Sequence, residues 1–334
     1  MRHTTERRVR AALLAGAASL AFSGAAGAQE DREEILITGL KKASAQRLQD
    51  APVAAAAFGA DELDARHVRS LTTLSYATPN VALEDIGTTP GTANFAIRGL
   101  GVNSSIPSVD PTVGVFVDGM YLGVNAGVVL DTFDLESVEI LRGPQGLLFG
   151  RNVTGGAVLV TTTAPGDEVE LDARVAVATG LEKTVSARVS APLIADLLSV
   201  KLAAYLSEDD GYFNNLFDGE EFGEDRTTLF RAAARATPTD GLDLTVRYER
   251  GTSEGDGPAA QNRGFFDRDG FDFSIDERGL HENEWDQVTA EANLDVGFGD
   301  GVITNIFGWR RYDQTTLADI DATEFFLFHS ATFL

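Results

Sequence analysis

Residues 138–157 read VEILRGPQGLLFGRNVTGGA, and this stretch decides the fold more than any other part of the chain. It opens with a short apolar run that predicts a β-strand. Five glycines follow, and they are Gly143, Gly146, Gly150, Gly155 and Gly156. Because glycine permits positive φ angles and close approach of neighbouring backbone, the stretch predicts a strand followed by tight, closely packed turns.

The stretch belongs to a predicted compact α+β domain that covers residues 50–165. Near its start, apolar residues at helical spacing predict one or two helical turns, and these residues are Leu63, Val68, Leu71 and Leu74. Short apolar runs cut by glycine and proline predict strands at 95–97, 113–117, 138–141 and 157–160. The pair Asp118-Gly119, directly after one of these runs, predicts a tight hairpin.

From residue 166 to residue 334 apolar and polar residues alternate, which is typical of strands with two different faces. Seven strands are predicted, at 169–177, 183–191, 197–207, 226–236, 242–250, 286–297 and 302–313. A soluble β-sandwich has the same period, but long connections at 208–225 and 251–285 alternate with short turns, as in transmembrane barrels. We therefore predict antiparallel transmembrane β-barrel strands after the α+β domain.

Residues 1–28 have the features of an export signal. A basic start is followed by an apolar run over residues 11–22, and the small residues at 26–28 predict cleavage before Gln29. The run of 12 residues is shorter than the roughly 20 residues that span a bilayer. Residues 29–49 are polar apart from one apolar patch and are predicted to be flexible.

The composition argues against several functions. The chain has 51 acidic and 27 basic residues and a net charge of −24, which argues against a nucleic-acid partner. It has no cysteine, so disulfides, thiol nucleophiles and thiolate metal sites are excluded. The four histidines are His3, His67, His281 and His329. They form no metal-ligand pair at helical spacing and have no Ser-His-Asp context. We predict no enzyme activity, no metal site and no cofactor.

Several motifs resemble those of TonB-dependent outer-membrane receptors. The stretch 138–157 is close to the plug signature VEVLRGPQGxLYGRNxxGGA, with Phe149 where tyrosine is common and Val153 where a small residue is common. Residues 95–101 resemble the IRG motif of the same plug domain, and residues 115–119 resemble its VDG hairpin. A segment before the plug resembles a TonB box, and it comprises Glu34, Ile35, Leu36, Ile37, Thr38 and Gly39.

The resemblance implies a plug inside a barrel, with three plug arginines paired to carboxylates of the barrel wall; the alternative is that these arginines bond plug loops internally. The predicted motif and plug–wall residues are Arg98, Gly99, Asp118, Gly119, Arg142, Gly143, Gly146, Gly150, Arg151, Asn152, Gly155 and Gly156. The box would bind the periplasmic TonB protein by adding a strand to the edge of its sheet.

These features predict TonB-dependent uptake of a scarce, large nutrient across the Gram-negative outer membrane, after Sec-type export and signal cleavage. The predicted partners are the TonB protein, outer-membrane lipid and a nutrient ligand, which could be a ferric siderophore, a vitamin or a glycan. One alternative is a truncated plug module that binds ligand or signals without transporting it. A secreted β-sandwich hydrolase is the other.

The number of strands predicts an incomplete barrel. Receptors of this family have about 22 strands, whereas residues 166–334 supply seven, or eight if residues 324–334 form another. A closed barrel of about eight strands is filled by its own side chains and has no room for a plug. We therefore expect an open, curved sheet with a free edge at its first and last strands.

Overall fold

The structure is a computed structural model of the chain. It describes residues 36–37, 46–47, 50, 52–68, 70–86, 89–102, 109–124, 127, 132–178, 182–267, 269–297 and 301–333. The predicted export signal lies outside these residues, and so does most of the predicted TonB box. No helix among the described residues is long and apolar enough to cross a membrane.

The predicted plug domain, called the plug below, is an α+β unit. Its described part has three short helices, α1 (Ala60–Ala65), α2 (Leu71–Ala77) and α3 (Gly146–Phe149). Before it, β1 (Leu36–Ile37) pairs with β2 (Gln46–Arg47). The plug strands are β3 (Ala54–Gly59), β4 (Val81–Ile86), β5 (Thr89–Ile97), β6 (Leu100–Gly101), β7 (Val113–Val117), β8 (Met120–Tyr121), β9 (Leu135–Arg142) and β10 (Gly156–Thr162).

These strands form two sheets. The larger has the order β3-β9-β10-β7-β8, and its β10–β7 pair is parallel while the other pairs are antiparallel. The smaller contains β4, β5 and β6. All residues of β7 are buried, which explains why this strand reads as a continuous apolar run rather than an alternating one.

The core of the plug contains the four apolar residues that were predicted to lie on helical turns. Leu63, Val68, Leu71 and Leu74 are all buried together with β-strand residues in one cluster. The helix α2 begins at a side-chain cap, since Ser70 Oγ accepts a hydrogen bond of 3.2 Å from the Thr73 amide. The prediction of helix is confirmed for Leu63, Leu71 and Leu74, whereas Val68 is buried in the turn between α1 and α2.

The hairpin predicted at Asp118-Gly119 is present between β7 and β8, where Val117 pairs with Met120. Asp118 has a φ of 48° and Gly119 a φ of 77°. Two consecutive positive φ angles are the requirement of a type I′ turn, for which Asp-Gly is a favoured pair.

The second domain is one antiparallel sheet of eight strands, named the wall below. In their order across the sheet these are β11 (Glu170–Val177), β12 (Lys183–Ile194), β13 (Leu198–Asp209), β16 (Asp225–Thr239), β17 (Leu242–Gly255), β19 (Leu280–Val296), β20 (Gly301–Asp319) and β21 (His329–Phe333). Among the described residues β11 pairs with β12 alone and β21 with β20 alone, so the sheet is open, as predicted.

Several wall strands extend beyond their predicted boundaries, and β17 ends at Gly255 rather than near residue 250. β19 begins at Leu280 rather than near residue 286, and β20 continues to Asp319 rather than ending near residue 313. β21 is the eighth strand that the sequence left optional. The connection predicted at 251–285 is therefore shorter and runs from residue 256 to residue 279.

The two faces of the wall differ in chemistry. Apolar side chains are exposed on the face turned away from the plug, and examples are Val175, Val185, Leu202, Phe230 and Val246. The face turned toward the plug carries polar and charged side chains, and those that are buried include Lys201, Arg231, Glu249, Gln287 and Thr289. This alternation of apolar-out and polar-in residues is the pattern of barrel strands.

The connections at the two ends of the wall differ in length. At one end β12 joins β13, β16 joins β17 and β19 joins β20 by two to four residues. At the other end β11 joins β12 by five residues, but the two connections that follow are long. They carry short strands of their own, β14 (Phe213–Asn215) and β15 (Glu220–Phe222) in one and β18 (Asp272–Phe273) in the next. This long-connection end contains the residues that organise the outer loops described below.

Candidate functional site at the plug–wall interface

The Asp118-Gly119 hairpin rests directly on β20 of the wall. A Cβ atom placed on Gly119 would lie 2.6 Å from Ile306 Cδ1, and one placed on Gly308 would lie 2.5 Å from Met120 Sδ. Neither site has space for a larger side chain without movement. Two residues of the predicted motif set, Asp118 and Gly119, therefore lie at the interface with the wall.

A buried ion pair joins plug and wall beside this hairpin. Lys201 Nζ of β13 donates to Asp134 Oδ2 at 2.7 Å and to Asp134 Oδ1 at 3.0 Å. The Lys201 side chain is 1% exposed and the Asp134 side chain 0%. Thr163 completes the shell, because its Oγ1 donates to Asp134 and accepts from Lys201 Nζ at 3.0 Å. The pair is fully desolvated and well hydrogen-bonded, which is the condition for a stable buried charge pair.

Arg231 of β16 extends the pair into a network, named the Asp134 network below. Its Nη1 atom lies 3.7 Å from Asp134 Oδ2 and donates to the Phe133 carbonyl at 3.0 Å. Its Nε atom donates to Glu249 Oε2 at 2.7 Å, and Glu249 Oε1 accepts from Trp285 Nε1 at 2.8 Å. One plug carboxylate is thus connected to wall strands β13, β16, β17 and β19.

Asp118 makes a second, looser link to the wall. Its carboxylate accepts from the Thr162 amide at 2.9 Å, and Arg247 Nε lies 3.7 Å from Asp118 Oδ1. Arg247 also lies 3.5 Å from Glu291, but its Nε and Nη1 atoms are buried and make no hydrogen bond within the described part of the chain. This link depends on charge rather than on close hydrogen-bond geometry.

A cavity of about 10 Å³ lies between the two links, and its lining includes Asp118, Lys201, Arg231 and Arg247. That volume is close to the minimum for one water molecule, so the interface is polar and tightly filled. Near it, burial raises the pKa of the Glu136 carboxyl above its usual value, while the charge of Arg247 opposes this shift.

The charges at the interface have the opposite arrangement to the one that the resemblance implied. The plug supplies carboxylates and the wall supplies Lys201, Arg231 and Arg247. Arg142 instead donates to the Ala55 carbonyl at 3.4 Å, and Arg151 lies 4.0 Å from Asp110, and both of these partners belong to the plug. For these two arginines the described contacts favour the internal alternative, and pairing with wall carboxylates stays a prediction.

The glycine-rich motif builds the turns beside β9 and β10. Positive φ angles occur at Gly99 (76°), Gly143 (95°) and Gly150 (77°), and also at Arg98 (54°) and Asn152 (67°). Asn152 Nδ2 donates to the Tyr121 hydroxyl at 3.0 Å, which ties the motif to the hairpin strand β8. Asn152 thus links the glycine-rich motif to the hairpin that rests on the wall.

Close packing explains the glycine pair near the end of the motif. Gly156 has a φ of 154°, and a Cβ atom there would lie 2.3 Å from the Leu141 carbonyl oxygen and 2.7 Å from Ile97 Cδ1. A Cβ atom on Gly155 would lie 3.1 Å from Leu100 Cβ. Gly146, by contrast, has no neighbouring atom within 4 Å of its Cβ position. The expected conformational or packing demand is confirmed at Gly156.

The two long connections pack on each other as one unit, named the outer loops below. β14 pairs with both β15 and β18. Phe222, Phe273 and Ile275 form a buried cluster between them. Arg278 fastens the unit, since it donates to Asp256 at 2.9 Å and to Asp218 at 3.1 Å. The long connection predicted at 208–225 is therefore held to the connection at 256–279 by a shared apolar cluster.

Comparisons with known proteins agree with this architecture. The family described as the TonB-dependent Receptor Plug Domain matches residues 47–157. The pesticin receptor of Yersinia pestis is 27% identical over 226 residues, which cover 66% of this chain and 32% of that receptor. Residues 47–157 belong to the plug-domain family of TonB-dependent receptors. The chain spans about a third of the length of the curated relatives that it matches first.

A solved receptor structure shares this fold, and a further curated receptor is similar in sequence. The crystal structure of the ferric yersiniabactin uptake receptor FyuA from Yersinia pestis has a TM-score of 0.70 at 21% identity, and the match covers 79% of this chain and 42% of that one. The ferrioxamine B receptor of Salmonella typhimurium is 32% identical over 102 residues, covering 28% of this chain and 14% of the receptor. All three of these relatives are named as receptors.

For a TonB-dependent receptor, the segment before the plug is of direct interest. Leu36 and Ile37 of the predicted TonB box form β1 and pair antiparallel with Arg47 and Gln46. The other box residues, Glu34, Ile35, Thr38 and Gly39, lie outside the described residues. Within the described residues β1 pairs with β2 alone, and binding of this segment to TonB stays a prediction.

Sequence reasoning missed the Asp134 network. Lys201 could have been noticed, because it is the single charged residue of segment 197–207. It lies on the opposite face of that strand from Leu198, Leu202 and Leu206. Asp134 gave no signal, since it precedes β9 in a polar stretch and meets Lys201 across 67 positions of sequence.

Proposed function

We propose that the chain serves TonB-dependent uptake of a ferric siderophore across the outer membrane of a Gram-negative bacterium. The observation that carries this proposal is a plug held against barrel-type strands by a buried polar interface, the Asp134 network. Named relatives that act on ferric yersiniabactin and ferrioxamine B support the siderophore class. The outer loops and the plug face beneath them would receive the ligand.

A polar interface suits a plug that must rearrange. Charges buried between plug and wall contribute little net stability, because their desolvation offsets most of their attraction. When the plug shifts, water can replace the lost hydrogen bonds, whereas an apolar interface would expose surface at about 25 cal/mol per Å². The Asp134 network therefore holds one arrangement firmly while leaving a route to another.

Transport by a strain that lacks the gene tests the proposal. We expect loss of energy-dependent uptake of at least one iron-labelled siderophore, and restoration by the gene in trans. A protonophore should abolish the restored uptake, because the energy comes from the inner-membrane proton gradient through TonB. Siderophore uptake that is normal in the deletion strain, or that resists the protonophore, would contradict the proposal.

The strand β1 provides the test of coupling to TonB. Replacing Ile37 with proline removes a backbone donor and fixes φ, so the segment can no longer complete a paired strand. We expect uptake to fall to the level of a strain without TonB, while ligand binding to intact cells stays near normal. The control Ile37→Val keeps a strand-forming residue and should transport normally. Equal transport by the proline variant would show that the box is misassigned.

Export through a cleaved signal is proposed from the sequence of residues 1–28. Mass spectrometry of the N-terminal peptide from the membrane-integrated protein should begin at or within a few residues of Gln29. A peptide beginning at Met1 in the integrated protein would show that the signal is retained and that the cleavage proposal is wrong.

A further inference from the structure

Three metal-ligand side chains meet at the long-connection end of the wall, where sequence spacing gave no sign of them. Asp319 is the last residue of β20, His329 the first of β21, and Asp276 lies in the connection before β19. One ligand atom from each lies within 4.8 Å of the other two. His329 Nε2 is 3.1 Å from Asp276 Oδ1.

Asp319 supplies a second, independent observation. Its side chain is almost wholly buried, as the residue is only 3% exposed. Its Oδ1 atom accepts from the Ala322 amide at 2.8 Å, but its Oδ2 atom is buried and has no hydrogen-bond partner in the described part of the chain. A buried carboxylate oxygen without a donor is unfavourable, and a cation at this point would satisfy it.

We propose that Asp276, Asp319 and His329 bind a divalent transition-metal ion of the zinc class. The donor set of one imidazole and two carboxylates suits zinc, whereas calcium and magnesium prefer sites built of oxygen alone. In a tetrahedral zinc site with bonds of about 2.1 Å, ligand atoms lie about 3.4 Å apart, so the three groups need only small side-chain movements.

The surroundings favour a cation. Glu277, Asp321 and Glu324 are near in sequence to the three ligands and add negative charge. Arg278, the base next to Asp276, is directed to Asp256 and Asp218 instead. Asp276 and His329 are partly exposed, with side-chain exposures of 16% and 18%, so an ion can enter and a fourth position can hold water or another ligand.

Such an ion would clip the outer loops to the hairpin of β20 and β21. The connection that carries Asp276 already touches this hairpin through the Asp276 amide, which donates to the Thr323 carbonyl at 3.3 Å, and through Ser274, which donates to Glu324 at 2.7 Å. The same connection pairs with the other outer loop through β18. One metal ion would therefore hold both outer loops and the β20–β21 hairpin in one arrangement, independently of which nutrient is carried.

Titration of the purified full chain in detergent with zinc, with the heat of binding measured by calorimetry, tests the site. We expect one ion per chain, and Asp319→Asn and His329→Gln should each lower the affinity by about tenfold or more. His67→Gln and Asp269→Asn change an exposed histidine and a loop carboxylate elsewhere, and both should leave the affinity unchanged. Equal zinc binding by wild type and Asp319→Asn, or stronger binding of calcium than of zinc, would overturn the proposal.

Protease digestion gives a second readout that does not depend on affinity. Zinc should slow cleavage within residues 256–279 of the wild type several-fold, and a chelator should reverse this protection. Asp319→Asn removes an unpaired buried charge and should keep the folded wall, so its cleavage should be the same with and without zinc. Zinc protection that persists in Asp319→Asn would show that the ion binds elsewhere.

Discussion

Replacing Gly156 with valine is expected to destabilise the plug by about 3 kcal/mol or more, because overpacking and an unfavourable φ act together. The new Cβ atom would meet the Leu141 carbonyl oxygen at 2.3 Å, and that oxygen belongs to β9, an interior strand of the sheet. Backbone in the middle of a sheet cannot move aside as a flexible side chain can. The free energy of unfolding of the plug, followed by hydrogen exchange of the β9 and β10 amides, measures the effect.

Gly146→Ala is the matched control for this change. It lies in the same motif, within α3, but its Cβ position is open and its φ is not positive. We expect a change below about 1 kcal/mol, with stabilisation as the favoured direction because alanine suits a helix better than glycine. Similar losses in Gly146→Ala and Gly156→Val would mean that the motif tolerates side chains equally and that its packing is misread.

Replacing Asp134 with alanine should release the plug from the wall. The change leaves Lys201 buried without its counter-charge, and removing one partner of a buried pair costs about 3–5 kcal/mol. Lys201 has a 1% exposed side chain, so water cannot readily reach it unless the interface opens. Denaturant unfolding of the full chain, with proteolysis of the plug as a second probe, should show the loss.

The pair of Asp64 and Arg174 provides a control that differs mainly in burial. It also joins plug to wall, at 2.8 Å between Arg174 Nη2 and Asp64 Oδ1, but the two side chains are 36% and 59% exposed. Asp64→Ala should therefore cost less than about 1 kcal/mol. The double variant Asp134→Asn with Lys201→Met should recover much of the stability lost in Asp134→Ala. Equal losses in the two alanine variants would show that burial of the pair is unimportant.

Local chemistry made much of the plug predictable. The hairpin at Asp118-Gly119 was visible because positive φ angles at two successive residues select a very small set of residue pairs. Leu63, Leu71 and Leu74 were assigned to helical turns because one face had to pack on a sheet. Gly156 was singled out because glycine is needed where neighbouring backbone is too close for a Cβ atom, and that need is visible in the sequence.

The wall was predictable only where its outer face is apolar. β19 was predicted to begin near residue 286, because Glu282 and Glu284 occupy the positions that apolar residues hold further along the strand. Those residues still pair with β20, as Glu282 does with Thr315, because the ladder depends on backbone groups rather than on side chains. Alternation thus marked the apolar band and not the full length of the strand.

The candidate sites were hidden because they join distant parts of the chain. Asp134 meets Lys201 across 67 positions, and Asp276 meets His329 across 53. No local spacing rule applies to such pairs, since register and loop packing bring them together. The direction of charge at the interface, carboxylate on the plug and base on the wall, was likewise decided by which side chains face inward.

The position of β3 determines how the plug would respond to a mechanical load. β3 is the edge strand of the larger plug sheet, and it is also the first plug strand after the β1–β2 pair. Tension applied at the N-terminus would first separate β1 from β2, which are joined by two residue pairs that would open one after the other. It would then separate β3 from β9. The β9-β10-β7 centre would remain intact at that stage, so the chain could lengthen in steps while the attachment to the wall through Asp134 still resists.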